Sequence, residues 1–514
     1  MVCQYDDPRS QNTINDQRWH ELDALKGFAM LLGIGLHAAL SFFPTFWPVQ
    51  DRHMSSEDFF GGFVAAVHGF RMPLFFLLSG FFTTMLWRRR GVSSMLWHRV
   101  QRIGIPLAIG IITIIPAMDW VSDRVSESPE YTNNPEIALE AGRQGDIWTP
   151  IFMNSPGGVE LAVLAGADVN TRGDDAWTPL HLAAAMSQPK TVEILLIAGA
   201  DPEALTVKGE TPLVLSVWKA DTSSADLLVA YGAKDFRIAD STWQEISWFG
   251  DGIEKENKDR DLGLKSWIDQ FHHLWFLWFL CWLVIGFALA ASIAARSKHI
   301  LNNSINQYFL WLLIPLSYPL QLSMGDSGNY PTFGPDTSTG LLPAKNVLIY
   351  YALFFTFGAI SYSISTPNNK PLMTQIGRRW KILLPITILI LLPFGLHLTY
   401  EDGNWWAACI FQVAYTWGMS FGLVGLFRRL FSIEKRGVRY LSDASYWMYL
   451  THLPLVIIFQ WLVKSWNIPA ILKFLLICIT ISGLLLSTYQ VFVRYTPIGT
   501  MLNGQRKRLK LTYP

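Results

Sequence analysis

About ten stretches of this chain are apolar enough, for long enough, to cross a bilayer, since a crossing helix takes about 20 apolar residues for roughly 30 Å of hydrocarbon. They run over about 24–44, 62–87, 101–118, 272–295, 306–324, 345–365, 380–398, 404–427, 444–464 and 470–493. In lipid a backbone must satisfy its own polar groups, so such runs fold as helices. The expected class is all-α, a polytopic transmembrane bundle in contact with the lipid bilayer. Charged residues are 16% of the chain, against about 25% in soluble proteins. The stretch 306–324 is the weakest, because it holds Pro315 and Pro319. A membrane helix tolerates proline where neighbours satisfy the freed carbonyls. The first twenty residues are polar and lack a signal peptide's apolar core, so the first span is expected to be retained.

Several function classes drop out. Lys and Arg number 41 and Asp and Glu 40, a net +1. Bulk nucleic-acid binding wants a strongly basic balance, so no nucleic-acid partner is expected. Disorder wants low hydrophobicity with high net charge. Four scattered cysteines, Cys3, Cys281, Cys409 and Cys478, do not make a disulfide scaffold. The sequence has no P-loop, no G-x-G-x-x-G opening a helix, no H-E-x-x-H and no C-x-x-C. No nucleotide-driven pump and no metal site are therefore expected.

Basic residues crowd one set of connections: Arg88, Arg89, Arg90, Arg99 and Arg102, then Arg296 and Lys298, Arg378 and Arg379, Arg428, Arg429, Lys435, Arg436 and Arg439, and Arg506, Lys507 and Arg508. The opposite set holds Arg52, Lys345, Lys464 and Lys473. The excess of Lys and Arg marks the cytoplasmic side. Both termini are expected there, which an even number of spans also requires.

Residues 119–270 contain no spanning run, but they contain a repeat. Gly166-Ala167-Asp168 recurs as Gly199-Ala200-Asp201 and as Gly232-Ala233-Lys234, 33 residues on each time. Thr178-Pro179-Leu180-His181 recurs in part as Thr211-Pro212-Leu213 at the same step. Period and motif resemble the ankyrin repeat. Thr-Pro starts a helix, because Pro presets φ at the first helical position. Gly ends one, where a left-handed residue is wanted. About three units are expected over 137–236, the first a degenerate cap, between linkers at 119–136 and 237–270. Their stacked surface suits a protein partner. The insert follows an odd number of spans, so it is expected outside the cytoplasm.

Polar residues inside the spans are candidates for chemistry, because an ionisable group in lipid is costly and usually faces a cavity. The first span holds Asp23, Lys26 and His37. Lys26 and His37 are 11 residues apart, which at about 100° per residue places them on one face, about 16 Å apart along the axis. A histidine there suits a general base; the plain alternative is a neutral ring bonded to a neighbouring helix. In the second span, Arg71 opens an apolar run that contains Ser79-Gly80. The plain readings are an interfacial cation and small-residue packing. Arg99 and Arg102 share a face at the start of the third span and suit bidentate phosphate contacts, although arginines at a cytoplasmic span end are ordinary. His272, His273, Tyr449 and His452 are candidate cavity lining, with aromatic-belt and packing roles as the alternative for Tyr449.

The segments "LDALKGFAMLLGIGLHAALSF", "FRMPLFFLLSGFF", "RVQRIGIPL", "HLWFLWFL", "LSDASYWMYLTHLPLV" and "VRYTPIGTMLNGQRKR", in that order, resemble the integral-membrane acyltransferases of family 3, in the branch concerned with glucan biosynthesis. The resemblance covers both flanks of the insert. It implies a membrane domain in two parts, 1–118 with three spans and 271–493 with seven, followed by a basic cytoplasmic tail at 494–514. It implies transfer of an acyl group, acetyl or succinyl, from acyl-CoA as cosubstrate to a carbohydrate acceptor, with no bound cofactor, in a bacterial inner membrane. The family's basic residue, ten residues, then histidine matches Lys26 and His37. Its Arg-x-x-Arg matches Arg99 and Arg102. On that basis His37 is the expected catalytic residue, either as a general base or as a transiently acylated group, and Lys26, Arg99 and Arg102, together with Arg71, are expected to hold acyl-CoA. Two other classes stay open: a transporter or flippase, which deep ionisable residues also suit, and a membrane scaffold that presents the ankyrin unit.

Overall fold

The computed structural model describes residues 19–43, 47–49, 51, 59–127, 135–173, 176–186, 188–206, 209–218, 222–234, 271–296, 307–325, 332–364, 371–400 and 404–504. The linker at 237–270 and the last ten residues of the basic tail lie outside them. Among the described residues the fold is helical, and eight helices are long and apolar enough to cross a membrane. The chain is thus a multi-pass membrane protein. Its outer surface fits that reading: Ile112, Leu289, Ile293, Leu389 and Ile479 are each more than half exposed, as lipid-facing side chains are.

Helix α1 is His20–Ala39, and α2 is Phe59–Arg99. A π-helical turn, Val100–Gly104, joins α2 to α3, Ile105–Glu127. The apolar stretch Phe59–Ser122 counts as one run of 64 residues, but it is a hairpin. Gly91 has φ +76° and breaks the helix, a conformation that costs glycine little. The Arg99 Nη2–H donates to Thr83 Oγ1 at 2.8 Å; sixteen residues of straight helix would separate them by about 24 Å. Helix α3 runs to Glu127, nine residues past the expected end of its span.

The second part of the membrane domain comprises α11 (Trp275–Arg296), α12 (Gln307–Leu322), α13 (Lys345–Ser363), α14 (Trp380–Ile386) and α15 (Leu392–Tyr400). It ends with α16 (Trp405–Leu430), α17 (Arg436–Val463), α18 (Ala470–Thr488) and α19 (Pro497–Asn503). Helix α12, with Pro315 and Pro319 inside it, has 16 residues, about 24 Å of rise. That is shorter than the other candidate spans. Helices α1, α2, α13, α16 and α17 pack on one another around the largest apolar core. Contact between α2 and α13 is backbone to backbone. A Cβ on Gly80 would collide with the Phe355 carbonyl, and one on Gly358 with that of Leu77. Small residues allow this approach, and dispersion then holds the helices together. Beside α1, the Lys473 ammonium pairs with Asp51 at 2.7 Å, with side chains 0% and 2% exposed. This pair pins the loop after α1 to α18.

The insert is a stack of short helices with its own core: α4 (Pro135–Arg143), α5 (Trp148–Phe152), α6 (Pro156–Leu164), α7 (Pro179–Ala185), α8 (Pro189–Ile197), α9 (Pro212–Trp218) and α10 (Thr222–Ala230). Gly166, Gly199 and Gly232 have φ of +90°, +90° and +105°, so the 33-residue period is a period of left-handed helix ends. Thr178 caps α7 in a capping box with His181. The His181 Nε2–H donates to Glu210 O of the next unit at 3.1 Å. Asn170 donates to Gly199 O and accepts from the Asp201 N–H, at 3.1 and 2.8 Å. The repeat signature therefore does two jobs, starting a helix and bonding one unit to the next.

Candidate active site

One cavity of about 950 Å³ runs through the membrane bundle. Lys26, His37, Arg71, Arg99, Arg102, Asp23, Ser79, His273, Tyr449 and His452 all line it. Residues from α1, α2, the π turn after it, the short turn before α11 and α17 are thereby brought to one space.

Its basic end gathers Lys26, Arg89, Arg90, His98, Arg99 and Arg102, with Asp23 the acidic residue among them. Local folding explains the grouping. The reversal at Gly91 folds the second arm of the hairpin back, so that Arg99 reaches Thr83 on the first. Thr83 in turn donates to Ser79 O at 2.7 Å. Arg102 lies within the π turn, where the Ile105 N–H bonds Val100 O, five residues back. Pro106 follows, and it has no N–H to offer the Arg102 carbonyl. Arg99 and Arg102 thus do not sit on one regular helical face, as their spacing predicts, yet both face the cavity. Arg99 Nε and His98 Nδ1 are buried without hydrogen-bond partners. Such a cluster of arginines and a lysine offers charge-assisted hydrogen bonds to an anion.

The other end is histidine-rich. His37, His68, His272, His273 and His452 line it together with Arg71 and Trp47. The His37 and His452 ring centroids are 5.3 Å apart, and those of His273 and His452 also 5.3 Å. Trp47 stacks on His37 at 5.7 Å with 18° between planes. The Gln460 Nε2–H donates to His37 O at 2.9 Å and Ala38 O at 3.1 Å, and Gln460 Oε1 accepts from the Trp47 Nε1–H at 2.8 Å. The Tyr449 O–H donates to His273 O at 2.6 Å. His272 pairs with Asp119 of α3 at 3.0 Å.

Arg71 departs from its plain sequence reading. Helix α2 begins at Phe59, so Arg71 lies roughly 18 Å along it, not at the interface. Its guanidinium packs against Gly33 of α1, where a Cβ would collide with it. Ser79 and Gly80 divide the two plain roles between them: Ser79 lines the cavity, and Gly80 makes the close approach to α13. Sequence reasoning passed over Arg89 and Arg90 as topology markers, and missed His68, His98, Trp47 and Gln460 as site residues. Among the described residues, no group of three or more His, Cys, Asp or Glu side chains is arranged to hold a metal ion.

Two family models match the chain. One, described as an acyltransferase domain, covers residues 19–145 and 217–489. The other, ankyrin repeats in three copies, covers 152–240. Among curated proteins, the chain is similar to glucans biosynthesis protein C of Escherichia coli strain K12, of strain O1:K1 / APEC and of O157:H7 strain EC4115. Each is 36% identical over 106 residues, which is 20% of this chain and 27% of the relative.

Proposed function

The chain belongs to the acyltransferase domain family, and from that premise we propose that it moves an acyl group from acyl-CoA to a hydroxyl of a carbohydrate acceptor. The observation that carries the reading is the single cavity that joins a cluster of cations to His37. CoA carries phosphates, and Lys26, Arg99 and Arg102, with Arg89 and Arg90 beside them, offer charge-assisted hydrogen bonds to such groups. The thioester end then extends toward the histidines. His37 takes the proton of the acceptor hydroxyl, the oxygen bonds to the acyl carbon, and the C–S bond breaks. The CoA sulfur leaves with the proton that His37 returns. Arg71, beside His37 in the same cavity, faces the oxygen on which negative charge develops.

The carbohydrate acceptor is supported by the name of the similar proteins, glucans biosynthesis protein C, and the ankyrin stack is read as a platform for a protein partner. Cytoplasmic termini and an extracytoplasmic insert remain the orientation we favour, from the distribution of Lys and Arg and the odd number of spans before the insert; the bacterial inner membrane is proposed from the resemblance to the glucan-biosynthesis branch.

The test is CoA release from the purified protein in detergent, with acetyl-CoA or succinyl-CoA and a periplasmic glycan mixture. His37→Ala is expected to lower turnover by about 10²–10⁴ while CoA still binds. Arg99→Ala is expected chiefly to raise the KM for acyl-CoA. Normal turnover in His37→Ala would remove the base role. Neither release nor CoA binding with any donor would favour the transporter and scaffold readings.

A further inference from the structure

Two buried histidine nitrogens on adjacent rings of the cavity lack partners, and they are not bonded to each other in this structure. His452 Nδ1 lies 3.1 Å from Met448 O and 2.9 Å from Tyr449 O. Carbonyl oxygens only accept, so this nitrogen carries the ring proton. In the neutral ring the other nitrogen, Nε2, is then a bare acceptor. It is buried and unpartnered. On the adjacent ring, whose centroid is 5.3 Å away, His37 Nδ1 is buried and unpartnered as well. Most buried polar atoms are satisfied, so a neighbouring pair of exceptions asks for a reason.

His273 does not supply the missing donor. Its Nε2 faces Leu450 O at 3.2 Å, so in the neutral ring Nε2 is the donor and Nδ1 the bare acceptor. That Nδ1 is itself buried without a partner. Two acceptors do not bond.

We infer that His452 is the positioning residue for His37: as the two rings close on each other for the reaction, His452 accepts at Nε2 from a His37 Nδ1–H and so fixes the tautomer that leaves His37 Nε2 free to act as the base. The inference rests on the acyl-transfer reading above and assigns its proton path. The acceptor's hydroxyl proton passes to His37 Nε2 as the acceptor oxygen bonds to the acyl carbon. His37 is then doubly protonated, and its Nδ1–H donates to His452. The proton at Nε2 leaves with the CoA sulfur as the C–S bond breaks, which returns both rings to their starting states. The Met448 and Tyr449 carbonyls hold His452 Nδ1–H throughout. This is the base-and-orienter arrangement met in nucleophilic sites generally, with a second imidazole as the orienter.

The test uses the full-length protein in detergent, with the acyl-CoA that gives most release in the assay above. His452→Leu keeps bulk and removes the acceptor. It is expected to lower kcat by about 10² or more with the KM for acyl-CoA unchanged. His452→Gln places an amide near the site of Nε2, and His452→Asn places one near that of Nδ1. Gln is expected to exceed Asn and Leu by about tenfold or more in kcat. A merely structural role would not separate Gln from Asn. Equal kcat in Gln and Asn, or a Leu variant within about twofold of the parent, overturns the inference. If Leu unfolds, the Gln and Asn pair decides alone. If His37→Ala is inactive while His452→Leu is not, only the positioning fails; if His37→Ala keeps its turnover, the acyl-transfer role of His37 fails with it.

Discussion

Gln460 shows how a residue with no chemistry of its own can matter to a site. Its side chain, 1% exposed, bonds the carbonyls of His37 and Ala38 and the indole of Trp47. The indole in turn lies flat on the His37 ring. One amide therefore fixes both the backbone that carries His37 and the surface that covers it. Gln460→Ala leaves those buried groups unsatisfied, at about 1–3 kcal/mol for each. It also frees the ring to drift, and a displacement of about 1 Å can cost on the order of 10² in rate. The expected outcome is a kcat reduced by about 10–10² with CoA affinity retained, read by steady-state kinetics beside equilibrium CoA binding. A variant that melts earlier yet keeps its kcat would limit Gln460 to a stability role. This residue was not legible in the sequence. His37 and Gln460 are 423 positions apart, and no periodicity links them. Lys26 and His37 were legible as a pair because one helix places both, by arithmetic that needs no tertiary contact.

At the scale of elements, what could be read was what is local. The 33-residue recurrence sits in the chain itself, and its glycines are the left-handed helix ends. The hairpin of α2 and α3 was read as two spans, but the turn that brings Arg89, Arg90 and Arg99 to one cavity depends on Gly91, which carries no signal beyond being glycine. The π turn holding Arg102 was hidden for the same reason: three-residue spacing assumes a regular helix. The repeat element carries a prediction of its own. Burial holds the His181 imidazole below its ordinary 6.5, and the ring is bonded as a neutral group. Its Nδ1 accepts from the Thr178 N–H at 3.1 Å, and its Nε2–H reaches Glu210 O. The unfolded chain protonates this ring more readily than the folded one. The contribution is therefore complete above about pH 6.5 and is lost as pH falls below it. Limited proteolysis of the insert in the full-length protein is expected to speed up between pH 7.5 and 5.5. The change should be smaller in His181→Gln. Equal rates at both pH values would show that the neutral bonding of His181 does not support the stack.

Across the whole molecule, the membrane bundle and the repeat stack keep separate apolar cores. Every residue lining the cavity comes from the membrane part. Replacing 135–234 with a short flexible linker should therefore leave CoA release within a few-fold of the parent, while any protein captured through the stack is lost. Loss of catalysis without loss of folding would tie the insert to turnover. The replacement must spare α3 to its end, since Met118 and Ser122 line the cavity. The bond between Asp119 and His272 adds a further consequence. It ties the middle of α3 to the residues where the chain re-enters the bundle, so the insert is a detour between two neighbouring elements. A gene cut within that detour would encode two polypeptides, one of three membrane helices and one of the rest. Each would carry part of the lining of the shared cavity, so neither would hold the whole of it until they met. The organism that carries such a chain holds, in a single reading frame, the makings of an enzyme assembled from two subunits.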